Sequence, residues 1–199
     1  MRERKDPAAR RAEIVATAAG VARAESLEAV TLRRVANLLG VTSSLVSHYF
    51  PVAEQLVAEA FGTLVTADLQ GHFAVVERQA GAVARLRTLL RRWVTADTEP
   101  SAAVWLDAWG QARTNTALRE EVNRRMLAGH RRVVDLLTAG VAEGAWSPAD
   151  PDATAWRMLT LLDGVIVHVT LRVNVVVADT YRAVATTMET ELGLPPGTL

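Results

Sequence analysis

Between residues 42 and 48 the chain places four short hydroxyl side chains and an imidazole: Thr42, Ser43, Ser44, Ser47 and His48. At about 100° per residue, Ser43, Ser47, Ser44 and His48 share one arc of roughly 140°, and Leu45, Tyr49, Val46 and Phe50 fill the other. A short helix buried on one side and finely polar on the other suits insertion into a DNA major groove. Small side chains there let the backbone approach base edges and phosphates. A surface helix with a solvated serine face is the competing reading. Thr31, Arg33 and Tyr49 flank the polar set, so the candidate DNA-contacting residues are Thr31, Arg33, Thr42, Ser43, Ser44, Ser47, His48 and Tyr49.

A second chemistry lies downstream. All five tryptophans follow residue 90, and Trp93, Trp105, Trp109 and Trp156 each fall on the apolar face of a different segment or turn. Aromatic faces can enclose a cationic group; for any single tryptophan, packing into a core is the plainer alternative. Asp163 sits in the apolar run Leu161-Leu162-Asp163-Gly164-Val165, where a carboxylate must be paired or neutralised. It is either a counter-ion for a positive ligand or the partner of an arginine such as Arg172, and the pairing is slightly favoured. His130 lies on an apolar stripe and reads more readily as a satisfied core histidine than as a ligand contact. With Phe61, the candidate ligand residues are Phe61, Trp93, Trp105, Trp109, His130 and Asp163. Enzyme readings find no support. The chain lacks a Gly-x-Ser-x-Gly elbow and a phosphate loop, and its four histidines lack metal-ligand spacing, so no catalytic residue, metal or cofactor is expected.

The polar arc needs a scaffold, and residues 31 to 50 supply one. Leu32, Val35, Ala36 and Leu39 recur at i, i+3, i+4 and i+7, with Thr31 in front as N-cap. Gly40 ends that helix, because a glycine can take the left-handed conformation without a Cβ clash. Thr42 caps a second helix, kept short by Pro51. The pattern is a helix-turn-helix. Ahead of it, residues 1 to 8 read as an uncapped basic arm or, more simply, a frayed terminus. A first helix over about 8–24 buries Ile14, Ala18, Val21 and Ala22 and leaves Arg10 and Arg11 free for phosphate.

Behind it, a long helix over about 53–77 carries Leu56, Ala60, Leu64 and Ala67 on one face, with Phe61, Val65 and His72 beside it. A fifth helix bearing Leu86, Leu89, Leu90, Trp93 and Val94 stops at Glu99-Pro100. A sixth holds Trp105 and Trp109, and a seventh covers about 117–143. After the Ser147–Pro151 loop, an eighth helix over about 152–175 is apolar nearly all round, which implies burial on two sides. Its β-branched Val165–Val177 stretch is kept helical for want of a pairing strand. A ninth helix covers about 179–192.

Composition agrees with this all-α plan of about nine helices. Half of the 199 residues are hydrophobic, prolines number seven, and cysteine is absent, which rules out disulfides and points to a reducing cytoplasm. The N-terminus is charged rather than apolar, so no signal peptide is expected, and the most apolar stretch is interrupted by Asp163, His168 and Arg172, so no membrane span is expected. Lys and Arg balance Asp and Glu at 22 each, yet residues 1–50 hold eight basic against five acidic side chains, a balance of +3.

Residues 9–60 resemble the N-terminal domain of TetR-family transcriptional regulators. The resemblance rests on an amphipathic first helix, on Thr-x-x-x-Val-Ala-x-x-x-Gly-Val-Thr over residues 31–42, and on a short helix ending His48-Tyr49-Phe50. The Leu45-Val46-Ser47-His48-Tyr49-Phe50 ending is closer to the BetI-like branch, and Trp105-Leu-Asp-Ala-Trp109 and Leu161-Leu-Asp-Gly164 resemble that branch's C-terminal domain. Ala53 stands where many members have a lysine, so one expected phosphate contact is missing.

The resemblance implies a helix-turn-helix DNA-binding domain over 1–51 and an effector-binding and dimerisation domain over 52–199. It further implies a homodimer through the helices at about 152–175 and 179–192. Such a dimer would bind an inverted-repeat, double-stranded DNA operator, with half-sites about one helical turn apart. A small-molecule effector, cationic or hydrophobic, would release it. A helical ligand-binding or interaction protein without sequence-specific DNA binding is the alternative.

Overall fold

A computed structural model describes residues 6–94, 99–147, 150–171 and 177–199. Among the described residues there are nine helices and no strand: α1 (Pro7–Ala24), α2 (Leu32–Leu39), α3 (Ser43–Tyr49), α4 (Ala53–Val76), α5 (Ala82–Val94), α6 (Glu99–Gln111), α7 (Thr116–Ala142), α8 (Pro151–Leu171) and α9 (Val177–Leu192). The all-α expectation holds. None of these helices is long and apolar enough to cross a membrane.

Several boundaries differ from those expected, each for a local reason. The helix start within the stretch expected to be uncapped, residues 6–8, is capped. Asp6 accepts the Ala9 N–H at 3.1 Å and Pro7 opens α1, where its missing donor costs nothing. The fifth helix is described through Val94 and Glu99 begins α6, so the expected stop of the fifth helix at Glu99-Pro100 lies beyond the described part of that helix. The eighth helix is helical through Leu171; its expected extension to 175, residues 172–176 of the β-branched stretch and Arg172 among them lie outside the described residues, while Val177 begins α9; residues 1–5 of the expected basic arm also lie outside.

The chain forms two compact units, one comprising residues 1–67 and 103–125 and the other 68–102 and 126–199. Helices α4, α6 and α7 therefore each contribute to both. In the first unit α1 and α3 pack on α2. Ile14, Ala18, Leu27, Val35, Ala36, Val46, Phe50, Leu56, Phe61 and Leu118 are fully or almost fully removed from water. Burying a side chain the size of Ile14 or Phe50 stabilises by about 1.5–3 kcal/mol, enough to hold a seven-residue α3 that could not persist alone.

In the second unit α5, α8 and α9 pack on one another. Leu86, Leu89, Leu90, Leu137, Met158 and Met188 form the centre of its core. The Trp146 indole donates to the Leu137 carbonyl at 2.9 Å and lies against Gly140, where a Cβ would overlap its ring. Ala67, expected on the buried stripe of the long helix, is exposed instead. On α8, Trp156, Leu161 and Leu171 are also exposed, so its apolar surface extends beyond what its own unit covers.

Candidate functional site

The turn between α2 and α3 is built as its sequence predicts. Thr31 Oγ1 accepts the Arg34 N–H at 3.0 Å and starts α2. Gly40 takes φ 63° and ψ 37°. There its N–H donates to the Asn37 carbonyl at 3.2 Å and the Val41 N–H to the Ala36 carbonyl at 3.0 Å. This pair of bonds closes the helix end and reverses the chain. Thr42 Oγ1 accepts the Leu45 N–H at 3.3 Å and starts α3. The hydroxyls of Thr31 and Thr42 thus have capping duties of their own.

Val46 and Phe50 pin α3 to the core, and Leu45 and Tyr49 are half-buried beside them. The opposite arc carries Ser43, Ser44 and His48, all exposed, and Ser47, half-buried at its edge. Among the described residues the three serine hydroxyls have no protein partner, and His48 meets only the Tyr49 ring, edge-on at 5.4 Å. A row of uncommitted donors and acceptors on a rigid helix is what base and phosphate contacts require.

The arginines divide. Arg33 is exposed and has no acidic partner among the described residues. Arg34 binds Glu25 at 2.6 Å. Arg10 and Arg11 are not free for phosphate: Arg10 pairs with Glu13 at 2.7 Å, while Arg11 pairs with Glu59 and lies 4.7 Å over the Phe50 ring. Both arginines find carboxylates within reach, and Arg11 also covers the ring that anchors α3.

The six candidate ligand residues fall into two sets. In the first unit Phe61 meets Trp105 edge-on at 5.0 Å, and Trp105 meets Trp109 at 5.6 Å with a 41° tilt. In the second unit Trp93 meets Phe73 edge-on at 6.4 Å. His130 is buried, stacks on Trp156 at 4.2 Å, and places Nε2 3.2 Å from the Asp152 carbonyl oxygen. Its position is that of a satisfied core histidine. Asp163 is half-buried and has no hydrogen-bonding or ionic partner among the described residues. Burial pushes its carboxyl up to about 6. No ring contact or hydrogen bond joins Trp93, His130 and Asp163 to one another among the described residues.

Sequence reasoning passed over several polar residues that organise the first unit. Asn115 caps α7 by accepting the Leu118 N–H at 2.9 Å and donates Nδ2 to the Glu54 carbonyl at 3.3 Å. Asp107 of α6 accepts the Leu27 N–H at 3.1 Å. Glu121, 5 % exposed, accepts Arg124 Nε at 2.8 Å and Arg125 Nε at 2.5 Å, with its carboxylate where a Cβ at Gly62 would stand. Asn115 alone had a legible signal, since an Asn directly before an apolar helical run is a capping pattern. In the second unit Arg92 Nε donates to His72 Nδ1 at 3.1 Å. Burial, and then the Arg92 charge, hold the His72 imidazole below its ordinary value against the opposing pull of Asp68.

Known proteins resemble this chain at both levels. A TetR-family transcriptional regulator from Rhodococcus sp. superposes with a TM-score of 0.77 at 19% identity, over 93% of this chain and 99% of that one. A transcriptional regulator from Saccharomonospora viridis, solved in complex with choline, gives 0.75 at 21% identity, over 92% and 96%. The fatty acid degradation regulator FadR from Bacillus halodurans gives 0.71 at 16% identity, over 97% and 100%. No curated protein matches by sequence. The model of the BetI-type transcriptional repressor C-terminal domain matches residues 82–192, more than half of the chain. The polar helix-turn-helix face, the all-helical fold and that match make the chain a member of the TetR family of transcriptional regulators, of the BetI type: a ligand-responsive, DNA-binding repressor.

Proposed function

We propose that the protein acts as a homodimer on an inverted-repeat operator in double-stranded DNA. Residues 1–51 would hold the DNA-reading surface, and residues 52–199 the effector and dimer contacts. The observation that carries this reading is the exposed polar face of α3, with Ser43, Ser44, Ser47 and His48 toward the groove. Tyr49 would steady that face, Arg33 would meet phosphate, and Thr31 and Thr42 would fix both helix starts. The exposed Trp156, Leu161 and Leu171 of α8, with the small Ala183, Thr186, Thr187 and Thr190 on the open side of α9, offer a self-complementary surface for a second copy. The protein would work in the cytoplasm beside its operator, by binding rather than by catalysis.

The effector is a small cationic or hydrophobic molecule. In the first unit Phe61, Trp105 and Trp109 supply aromatic faces; in the second, Trp93 supplies ring surface and Asp163 a negative charge with no protein partner among the described residues. The Saccharomonospora viridis protein was solved with choline, which makes choline the first compound to try. Helix α4 begins four residues after α3 ends and continues into the second unit, so the effector signal has a continuous helix to follow. Effector and operator then weaken each other by one common factor, typically 1–3 kcal/mol.

The test is a duplex selected by the full-length protein from a random-sequence pool, followed by salt titration of its binding. A specific affinity well above the non-specific background is expected, with the selected sequence an inverted repeat. Ser47→Ala and His48→Ala should erode the specific part. Arg33→Ala should weaken all sequences alike and reduce the log–log salt slope by about 0.9 for one phosphate contact. Equal binding to every duplex would leave a helical ligand-binding protein and remove the operator from this account.

A further inference from the structure

Helices α2 and α3 are held from outside at both of their ends. Before α2, the chain turns at Ser26–Val30, where the Ala29 N–H is taken by Ser26 Oγ at 3.1 Å and the Val30 N–H by the Leu27 carbonyl at 3.2 Å. The Leu27 N–H has neither of these outlets. Leu27 is fully buried, and its amide is satisfied by Asp107 Oδ2 of α6 at 3.1 Å, across 80 residues of chain. A buried amide donor without an acceptor is costly, so this bond fixes where α6 stands against the turn.

After α3, the first turn of α4 meets the start of α7. Asn115 divides its amide between two tasks, the oxygen capping α7 at the Leu118 N–H and the nitrogen binding the Glu54 carbonyl at 3.3 Å. Asn115 is buried, and only three residues separate it from the end of α6, which leaves Asp107 and Asn115 on one short corner. Asp107 also lies two residues from each of Trp105 and Trp109. At about 100° per residue its side chain leaves α6 on the side opposite the two indoles. One face of α6 therefore carries the aromatic cluster and the other grips the turn that leads into α2.

We propose that Asp107 and Asn115 form a two-point clamp through which the α6–α7 corner sets the position of the recognition helix, from the turn before α2 and from the first turn of α4. Neither residue touches DNA. Both are positioning residues that act through the backbone on either side of the helix-turn-helix. The clamp rests on the operator-binding reading above, and it assigns a place where a shift at the aromatic face of α6 reaches the DNA-reading unit directly.

The experiment uses the full-length protein, the duplex it selects from a random pool, and two pairs of variants. Asp107→Asn keeps an oxygen acceptor for the Leu27 N–H, whereas Asp107→Ala removes it. Asn115→Asp keeps the α7 cap but puts an oxygen against the Glu54 carbonyl, whereas Asn115→Ser keeps a small cap and removes only the tie. Expected are a loss of affinity for the selected duplex of roughly tenfold in Asp107→Ala and Asn115→Asp, near wild-type binding in Asp107→Asn, and unchanged binding to random DNA. Hydrogen exchange adds a readout independent of DNA. The Leu27 amide should lose protection in Asp107→Ala while the Ile14 and Ala18 amides keep theirs.

If Asp107→Ala and Asn115→Asp bind the selected duplex within about twofold of the wild type, the clamp does not position the recognition helix. A lower melting temperature with unaltered affinity of the folded protein would reduce both residues to structural ties and overturn the proposal equally. A wild-type protein that selects no duplex at all is a different result: it removes the operator reading itself.

Discussion

Replacing Asp163 with asparagine removes a charge that the fold holds at a loss. The carboxyl is half-buried, has no hydrogen-bonding or ionic partner among the described residues, and is pushed from 3.8 to about 6 by burial alone. Below pH 3.8 the group is neutral in both folded and unfolded chains and stability is unaffected. Between 3.8 and about 6 the folded state still holds a proton that the unfolded state has released, so stability falls as pH rises; above about 6 the whole penalty is present. At about 1.4 kcal/mol per pH unit the upper bound is about 3 kcal/mol, and water reaching this half-buried group lowers it to about 1–2 kcal/mol.

Asp163→Asn should therefore match the wild type near pH 4 and exceed it near pH 7.5 by roughly 2–8 °C in melting temperature. Thermal unfolding followed by circular dichroism across pH 4 to 8, variant against wild type, isolates this one group from the rest. A difference that does not change with pH would refute the assignment of an unpaired, desolvated carboxylate. A difference of opposite sign would mean that the carboxylate is paired in the native state. A cationic effector seated against Asp163 should close the gap in the wild type alone.

Three further substitutions probe the scaffold. Gly40→Ala places a Cβ in open space at φ 63°, so its cost is backbone strain alone, about 1 kcal/mol; Gly40→Asn should recover part of it, both read by urea denaturation. Gly140→Ala drives a methyl into the Trp146 indole and should cost about 1–3 kcal/mol with a shift in tryptophan emission; unchanged stability and emission would show the contact to be loose. Glu121→Gln removes the buried half of two ion pairs whose arginines reach water, keeps one acceptor oxygen, and should destabilise by about 1–2 kcal/mol in chemical denaturation, more than loss of the exposed Arg34–Glu25 pair.

The recognition turn was readable because everything that forms it is local. Thr31, Gly40 and Thr42 act within four residues of themselves, and capping and left-handed turn chemistry depend on residue type at fixed offsets. The arginines of α1 were not readable in the same way. Arg11 finds Glu59 and the Phe50 ring only because the fold brings segments 48 and 39 positions away to its side. The aromatic set shows the same limit. Spacing placed Trp105 and Trp109 on one face of α6, but Phe61 joins them, and Trp156 stacks on His130, through packing alone.

Helical periodicity, the caps and the glycine that reverses the chain are written into neighbouring residues, so the amino-acid order by itself determined the nine helices of the described residues, the helix-turn-helix and the polar face of α3. Which charges would pair with one another, which carboxylate would stand in a half-dry site without a partner among the described residues, and which side chains of α6 and α7 would bond to Leu27 and Glu54 were decided by the tertiary structure. Those outcomes depend on distances between residues far apart in the chain, and no local pattern encodes such distances.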